Sequence, residues 1–120
     1  MINITQMSKG ILEGCVLMVV KDKPLYSKEI VESLRSYGFS DLTGGTIFPM
    51  LVRLEKQGLF EVKKVPVSSA PSRKYYSLSE KGEQELIQFQ HVWNEFRDIV
   101  DSIMLLVESK KKPTIIVFFE

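Results

Sequence analysis

Cysteine, histidine and tryptophan each occur once, as Cys15, His91 and Trp93. One cysteine excludes an internal disulfide framework and a multi-cysteine zinc site. One histidine argues against a histidine-based metal centre and a Ser-His-Asp triad. No apolar run reaches the roughly 18 residues of a membrane span, and no membrane partner is expected. Residues 1–10 lack the basic region and small-residue cleavage site of a signal peptide. The expected location is cytoplasmic, with Cys15 reduced. Charge of one sign is not in excess either: 16 Lys and Arg against 15 Asp and Glu give +1, so the total names no partner. There is no nucleophile–base pair, metal-ligand cluster or phosphate-cradling loop, so neither catalysis nor a cofactor is expected.

What remains is an ordinary globular composition, 44% hydrophobic and 26% charged over 120 residues. A chain of this size supports one modest core. Its charge is unevenly placed. Residues 43–78 carry Arg53, Lys56, Lys63, Lys64, Arg73 and Lys74 against Glu55 and Glu61, net +4. Residues 79–109 carry Lys81 and Arg97 against Glu80, Glu83, Glu85, Glu95, Asp98, Asp101 and Glu108, net −5. Two surfaces with different tasks and a chance scatter of surface charge both account for this.

Hydrophobic periodicity supplies the elements. Met7, Ile11, Cys15 and Met18 recur at helical spacing, broadened by Leu12, Val16, Val19 and Val20, and predict a largely buried helix over Thr5–Val20. Ser27 caps a second helix that ends near Tyr37-Gly38. Thr43 caps a third, carrying Ile47, Met50, Leu51 and Leu54 and closing at Gly58, with Pro49 tolerated near its start. The period then changes. Leu59–Val67 and Lys74–Leu78 are β-branched or aromatic runs around Ser68-Ser69-Ala70-Pro71-Ser72, a hairpin with a polar tip. Ser79 caps a last helix that extends to about Ser109.

In that helix Leu86, Trp93, Val100 and Val107 are seven apart, as are Phe89, Phe96 and Ile103 between them. These are the a and d positions of a coiled coil over about three heptads. A second copy of the chain would cover the stripe, and packing on its own domain is the alternative. The resulting class is mainly α with a small β-hairpin. A winged helix-turn-helix domain occupies 1–78, a dimerisation helix 79–109, and a tail of unassigned structure 110–120. In such a domain the third helix enters the DNA major groove and the hairpin lies alongside.

Three motifs extend this. Gly44-Gly45-Thr46-Ile47-Phe48-Pro49-Met50-Leu51-Val52-Arg53-Leu54-Glu55-Lys56-Gln57-Gly58-Leu59, preceded by Pro24-Leu25-Tyr26-Ser27-Lys28-Glu29-Ile30, resembles the recognition region of PadR-type transcriptional regulators. Arg73-Lys74-Tyr75-Tyr76-Ser77-Leu78-Ser79-Glu80-Lys81-Gly82 resembles the family's second wing strand and its turn into the last helix. The short last helix with a central tryptophan resembles the small, multidrug-sensing members. The resemblance implies a homodimeric repressor on a pseudo-palindromic double-stranded operator. It also implies release by a planar aromatic molecule held in the dimer seam.

The candidate DNA-binding residues are Tyr26, Thr43, Thr46, Arg53, Lys56, Lys63, Lys64, Arg73, Lys74 and Tyr76. Arg53 has an alternative role, an ion pair with Glu29, Glu32 or Glu55. Tyr75 and Tyr76 alternate along a strand, so one faces the core and the other faces out. The candidate ligand-binding residues are Trp93, Phe89, Phe96, Met7 and Ile11. The candidate dimer interface is Leu86, Phe89, Trp93, Phe96, Val100, Ile103 and Val107. Two tryptophans filling a dimer core is the other reading of Trp93. Arg97 stands where the multidrug-sensing members carry an acid, which disfavours a cationic drug. Gly44-Gly45 departs from the common family pattern; two glycines weaken a helix start and also admit close backbone approach. Cys15 reads as core or as a thiol sensor, and His91 as a surface residue. Pro113–Glu120 is β-prone and has no assigned role. The rival functions are a regulator without an effector and a winged-helix module that docks a protein.

Overall fold

The hydrophobic pattern assembles into five helices and three strands in the computed structural model. It describes the backbone at residues 4–8, 10–68 and 70–119, and the side chains of these except at Thr5, Gln6, Ala70 and 110–119. The order is α1 (Ile4–Met7), α2 (Leu12–Asp22), β1 (Leu25–Tyr26), α3 (Ser27–Tyr37), α4 (Gly44–Lys56), β2 (Phe60–Val67), β3 (Ala70–Leu78) and α5 (Glu80–Phe119). This is the winged-helix class that the element order predicts.

The first predicted helix is in fact two. The Ser8 carbonyl accepts from the N–H groups of both Ile11 and Leu12 at 2.9 Å, a turn that interrupts the ladder before α2 begins. The orientation of α2 also differs from the primary stripe. Leu12, Val16, Leu17 and Val20 face the core, whereas Met7 and Met18 are exposed and Ile11, Cys15 and Val19 are half-buried. A helix apolar nearly all round does not state from its period which face goes inward.

The glycine signals at two helix C-termini have the expected geometry. Gly38 and Gly58 adopt positive φ, +132° and +80°, which costs glycine little. Behind each, the next residue bonds five positions back: Phe39 N–H to the Leu34 carbonyl and Leu59 N–H to that of Leu54, both 3.2 Å. These are the long bonds of helix-closing glycine motifs. Ser27 is the first residue of α3 rather than its cap. The residue before it, Tyr26, holds the cap position, and its N–H donates to the Glu29 carboxylate at 3.2 Å.

The sheet is antiparallel in the order β1-β3-β2. β1 pairs Leu25 with Tyr76 and Tyr26 with Tyr75; β2 pairs Val62 with Tyr76, Lys63 with Tyr75 and Lys64 with Lys74. The register slips between Val65 and Val67, around Pro66, which has no N–H to give and sits on an edge strand where that is tolerated.

The contact pattern separates two units, Met1–Gln88 and Phe89–Glu120. The first, the head, holds the core: Leu12, Val16, Ile30, Leu34, Leu42, Ile47, Leu51 and Leu54 are almost wholly buried, and Leu59, Phe60, Tyr76 and Leu86 join them. Ser79 fastens the start of α5. Its hydroxyl accepts from Gly82 N–H at 3.0 Å and donates to the Gly58 carbonyl at 2.6 Å. Gly82 is itself buried, and a Cβ there would lie 2.0 Å from the Leu59 carbonyl oxygen. Only glycine allows this approach. α5 is helical as far as Phe119, beyond the expected Ser109. The side chains of the 110–120 tail lie outside the described residues.

Candidate nucleic-acid interface

α4 presents two faces. Ile47, Met50, Leu51 and Leu54 point into the core, and Gly45, Thr46, Phe48, Pro49, Val52, Arg53 and Lys56 face solvent. Thr43 holds the cap position with no side-chain bond to the helix. Its carbonyl accepts from Thr46 and Ile47 N–H at 3.2 and 3.3 Å. The hydroxyls of Thr43 and Thr46 therefore lie exposed at the positive end of the helix dipole.

Two of the six basic residues of the middle segment, Arg53 and Lys74, are engaged by carboxylates. Arg53 bonds the Glu13 carboxylate of α2, not Glu29, Glu32 or Glu55. Lys74 reaches back to Glu55 on α4, 3.1 Å to one carboxylate oxygen. That hydrogen bond, with the carboxylate charge, raises the Lys74 ammonium above its ordinary value. No ion pair is described for Lys56, Lys63 or Lys64 among the described residues. Lys64 and Lys74 stand opposite each other across the ladder, with Glu55 balancing the charge of Lys74.

Arg73 lies with its guanidinium carbon 4.4 Å from the centre of the Tyr26 ring, and that ring stacks on Tyr75 at 5.5 Å and 11°. The three side chains form a layered cluster joining the wing to the first turn of α3. Its cation–π component is worth about 0.5–1 kcal/mol at such exposed sites. Lys63 shares this face by register with Tyr75.

Tyr76 is corrected. It is 7% exposed and packs edge-on against Phe60 at 5.1 Å, and burial raises its phenol above the ordinary value. It belongs to the core. Tyr75, outside the candidate set, is the tyrosine that faces outward. Strand alternation allowed either choice, and pairing with Leu25 and Val62 decides it.

In the second unit Phe89 and Trp93 are half-buried and Phe96 is exposed, with the Trp93 and Phe96 rings 6.3 Å apart and tilted by 39°. Val100, Ile103 and Val107 are exposed. Leu86, first of the seven-spaced set, is corrected: at 6% exposure it is part of the head's core. Met7 and Ile11 lie in the head, Met7 exposed.

A cavity of about 660 Å³ between α2 and α3 had no sequence signal. Cys15, Met18, Val19 and Tyr37 line it, with Glu29 and Glu32. Burial pushes the Cys15 thiol above its ordinary value, which disfavours the thiolate a sensor needs. Among the described residues no three metal-ligating side chains converge, and no helix is long and apolar enough to cross a membrane.

Comparison with known proteins agrees with this geometry. Residues 16–88 match the transcriptional regulator PadR-like family. A Streptococcus transcriptional regulator of known structure is 39% identical, covering 82% of this chain and 97% of that one at a TM-score of 0.73. A PadR-like transcriptional regulator from Bacillus cereus is 34% identical, with 82% and 96% coverage and a TM-score of 0.74. A protein of Lysinibacillus sphaericus is 28% identical over 98 residues, 80% of this chain and 90% of its own. The matched segment takes in α3, α4, the wing and the anchored start of α5, and the chain belongs to the PadR-like family of transcriptional regulators, which bind DNA and are not enzymes.

Proposed function

We propose that the protein is a homodimeric repressor in which two copies pair through α5 and set two winged heads on a pseudo-palindromic operator. The observation that carries this is the open heptad column of α5. Phe96, Val100, Ile103 and Val107 lie in water at the a and d spacing of a coiled coil. Val92, Ile99 and Leu106, also seven apart and exposed, widen the band. A stripe of this extent is the mark of an interface. Repression follows most simply, since a dimer seated on an operator obstructs it without further contacts.

Within each head the proposed phosphate contacts are Lys56, Lys63, Lys64 and Arg73, with Thr43 and Thr46 at the α4 N-terminus. Tyr26 and Tyr75 hold Arg73 in place. Arg53 and Lys74 enter already paired with carboxylates and contribute less. Trp93, Phe89 and Phe96 are the proposed seat of a planar aromatic effector, supported by the partial exposure of the Trp93–Phe96 pair. Such a molecule releases DNA only by preferring the dimer geometry that does not fit the operator.

The test is duplex binding by fluorescence anisotropy across salt concentrations. Affinity is expected to fall steeply with salt, and Lys63→Ala and Lys64→Ala are each expected to reduce the log–log slope by about 0.9. Binding indifferent to salt, or no binding to any duplex, would favour the protein-docking module instead. The effector is tested by quenching of Trp93 fluorescence with planar aromatic compounds. Saturable quenching, lost in a Trp93→Ala variant that stays dimeric, is expected.

A further inference from the structure

The solvent face of α4 is apolar at the positions a groove-entering helix would present first. Gly45, Phe48 and Val52 follow one another at helical spacing, with Pro49 alongside. Phe48 is 49% exposed and Val52 52%. The head buries most of its large apolar side chains; Phe48 and Val52 are among those it leaves in water, with Ile4, Met7, Met18, Tyr37 and Ile87. The next turn brings Lys56, and nearby Arg53 is held by Glu13. The Phe48 ring lies back over the first turn: a Cβ at Gly44 would come within 2.6 Å of its Cε2 and Cζ atoms. Gly44 thus makes the room in which the ring rests. The basic wing residues Lys63, Lys64 and Arg73 belong to the same head, so a polyanion suits it better than an apolar protein surface.

We propose that α4 reads thymine, with the C5-methyl groups of the operator packing against Phe48 and Val52. This rests on α4 being the helix that enters the major groove. Of the four bases only thymine offers an apolar group there. The donors and acceptors of the others would lose water against Phe48 and Val52 and find no partner. The two side chains therefore discriminate by attraction to one base and by uncompensated desolvation of the rest. The lysines and arginine of the head supply affinity that carries no sequence information.

The probe is a duplex enriched by the wild-type protein from a random-sequence pool, resynthesised with deoxyuridine for thymidine in the half-sites. Deoxyuridine keeps the pairing edge and lacks only the methyl group. Wild-type affinity is expected to fall about fourfold for each methyl contacted, with the salt slope unchanged. Phe48→Ala is expected to narrow the gap between the two duplexes, and Val52→Ala does the same if the first variant fails to fold. Equal wild-type binding to the thymine and uracil duplexes overturns the proposal. Duplex binding with no sequence enriched also overturns it, while leaving the DNA-binding face intact. Failure to bind any duplex removes the reading on which it rests.

Discussion

The head and the second unit are both rich in apolar residues, and they differ in what becomes of them. In the head, Leu12, Ile30, Leu34, Ile47, Leu51 and Leu54 come from three helices and are closed off from water by one another. In the second unit Phe96, Ile99, Val100, Ile103, Leu106 and Val107 lie along one helix and stay open. One helix cannot bury its own stripe. The head thus closes its core within a single chain, while the stripe of the second unit is the surface proposed to meet a second copy. Substitutions in the head should change stability at any protein concentration, and substitutions in α5 should change its concentration dependence.

The sharpest test of closure is Leu51→Ala. At 2% exposure its loss should destabilise the head by about 2–5 kcal/mol, read by urea unfolding, with the same loss at low and high protein concentration. Gly82→Ala should follow at about 3 kcal/mol, the upper end of overpacking costs. Its new Cβ meets backbone at the Leu59 carbonyl, and the start of α5 must shift away. Ser79→Ala should cost about 1 kcal/mol, because the cap bond to Gly82 N–H and the bond to the Gly58 carbonyl go together.

The smallest effect concerns Lys74. Its ammonium is raised above the ordinary 10.5 by Glu55. A group whose folded value is raised contributes stability that is present below the unfolded value and is lost as pH rises through the folded one. The contribution should therefore be intact at neutral pH and fade only in strong alkali. Glu55→Gln should return the lysine towards its ordinary value in an NMR titration, with a stability change near the limit of detection for so exposed a pair. A large loss at neutral pH would mean that Glu55 does more than hold Lys74.

What was legible in the sequence follows the same division between local and distant causes. Gly38, Gly58 and Ser79 marked helix ends because their chemistry acts within a few residues. The wing was visible from its β-branched and aromatic runs on either side of a polar tip. β1 was not, since two residues carry no period, and it exists only because β3 pairs with it. Strand alternation separated Tyr75 from Tyr76 but could not assign them, and Phe60 and Leu25 settled the matter from elsewhere in the chain. The partner of Arg53 lies 40 residues away in Glu13, beyond any local signal. Leu86 kept the seven-residue spacing of α5, yet it falls where the helix is still part of the head. The exposed face of α4 was present in the sequence as Phe48 and Val52, but only burial distinguishes an outward Phe from a core one.

The proposed pairing of two chains through α5 is the step from which operator symmetry would follow. Sedimentation equilibrium of the wild-type protein beside Ile103→Lys addresses it most directly. Wild type should have twice the 13.8 kDa mass of the chain at micromolar concentration. The variant should fall to a single chain while keeping the unfolding midpoint of its isolated head. A wild-type protein at 13.8 kDa under those conditions, or a variant that stays paired, would contradict the assignment of α5 as the dimer interface.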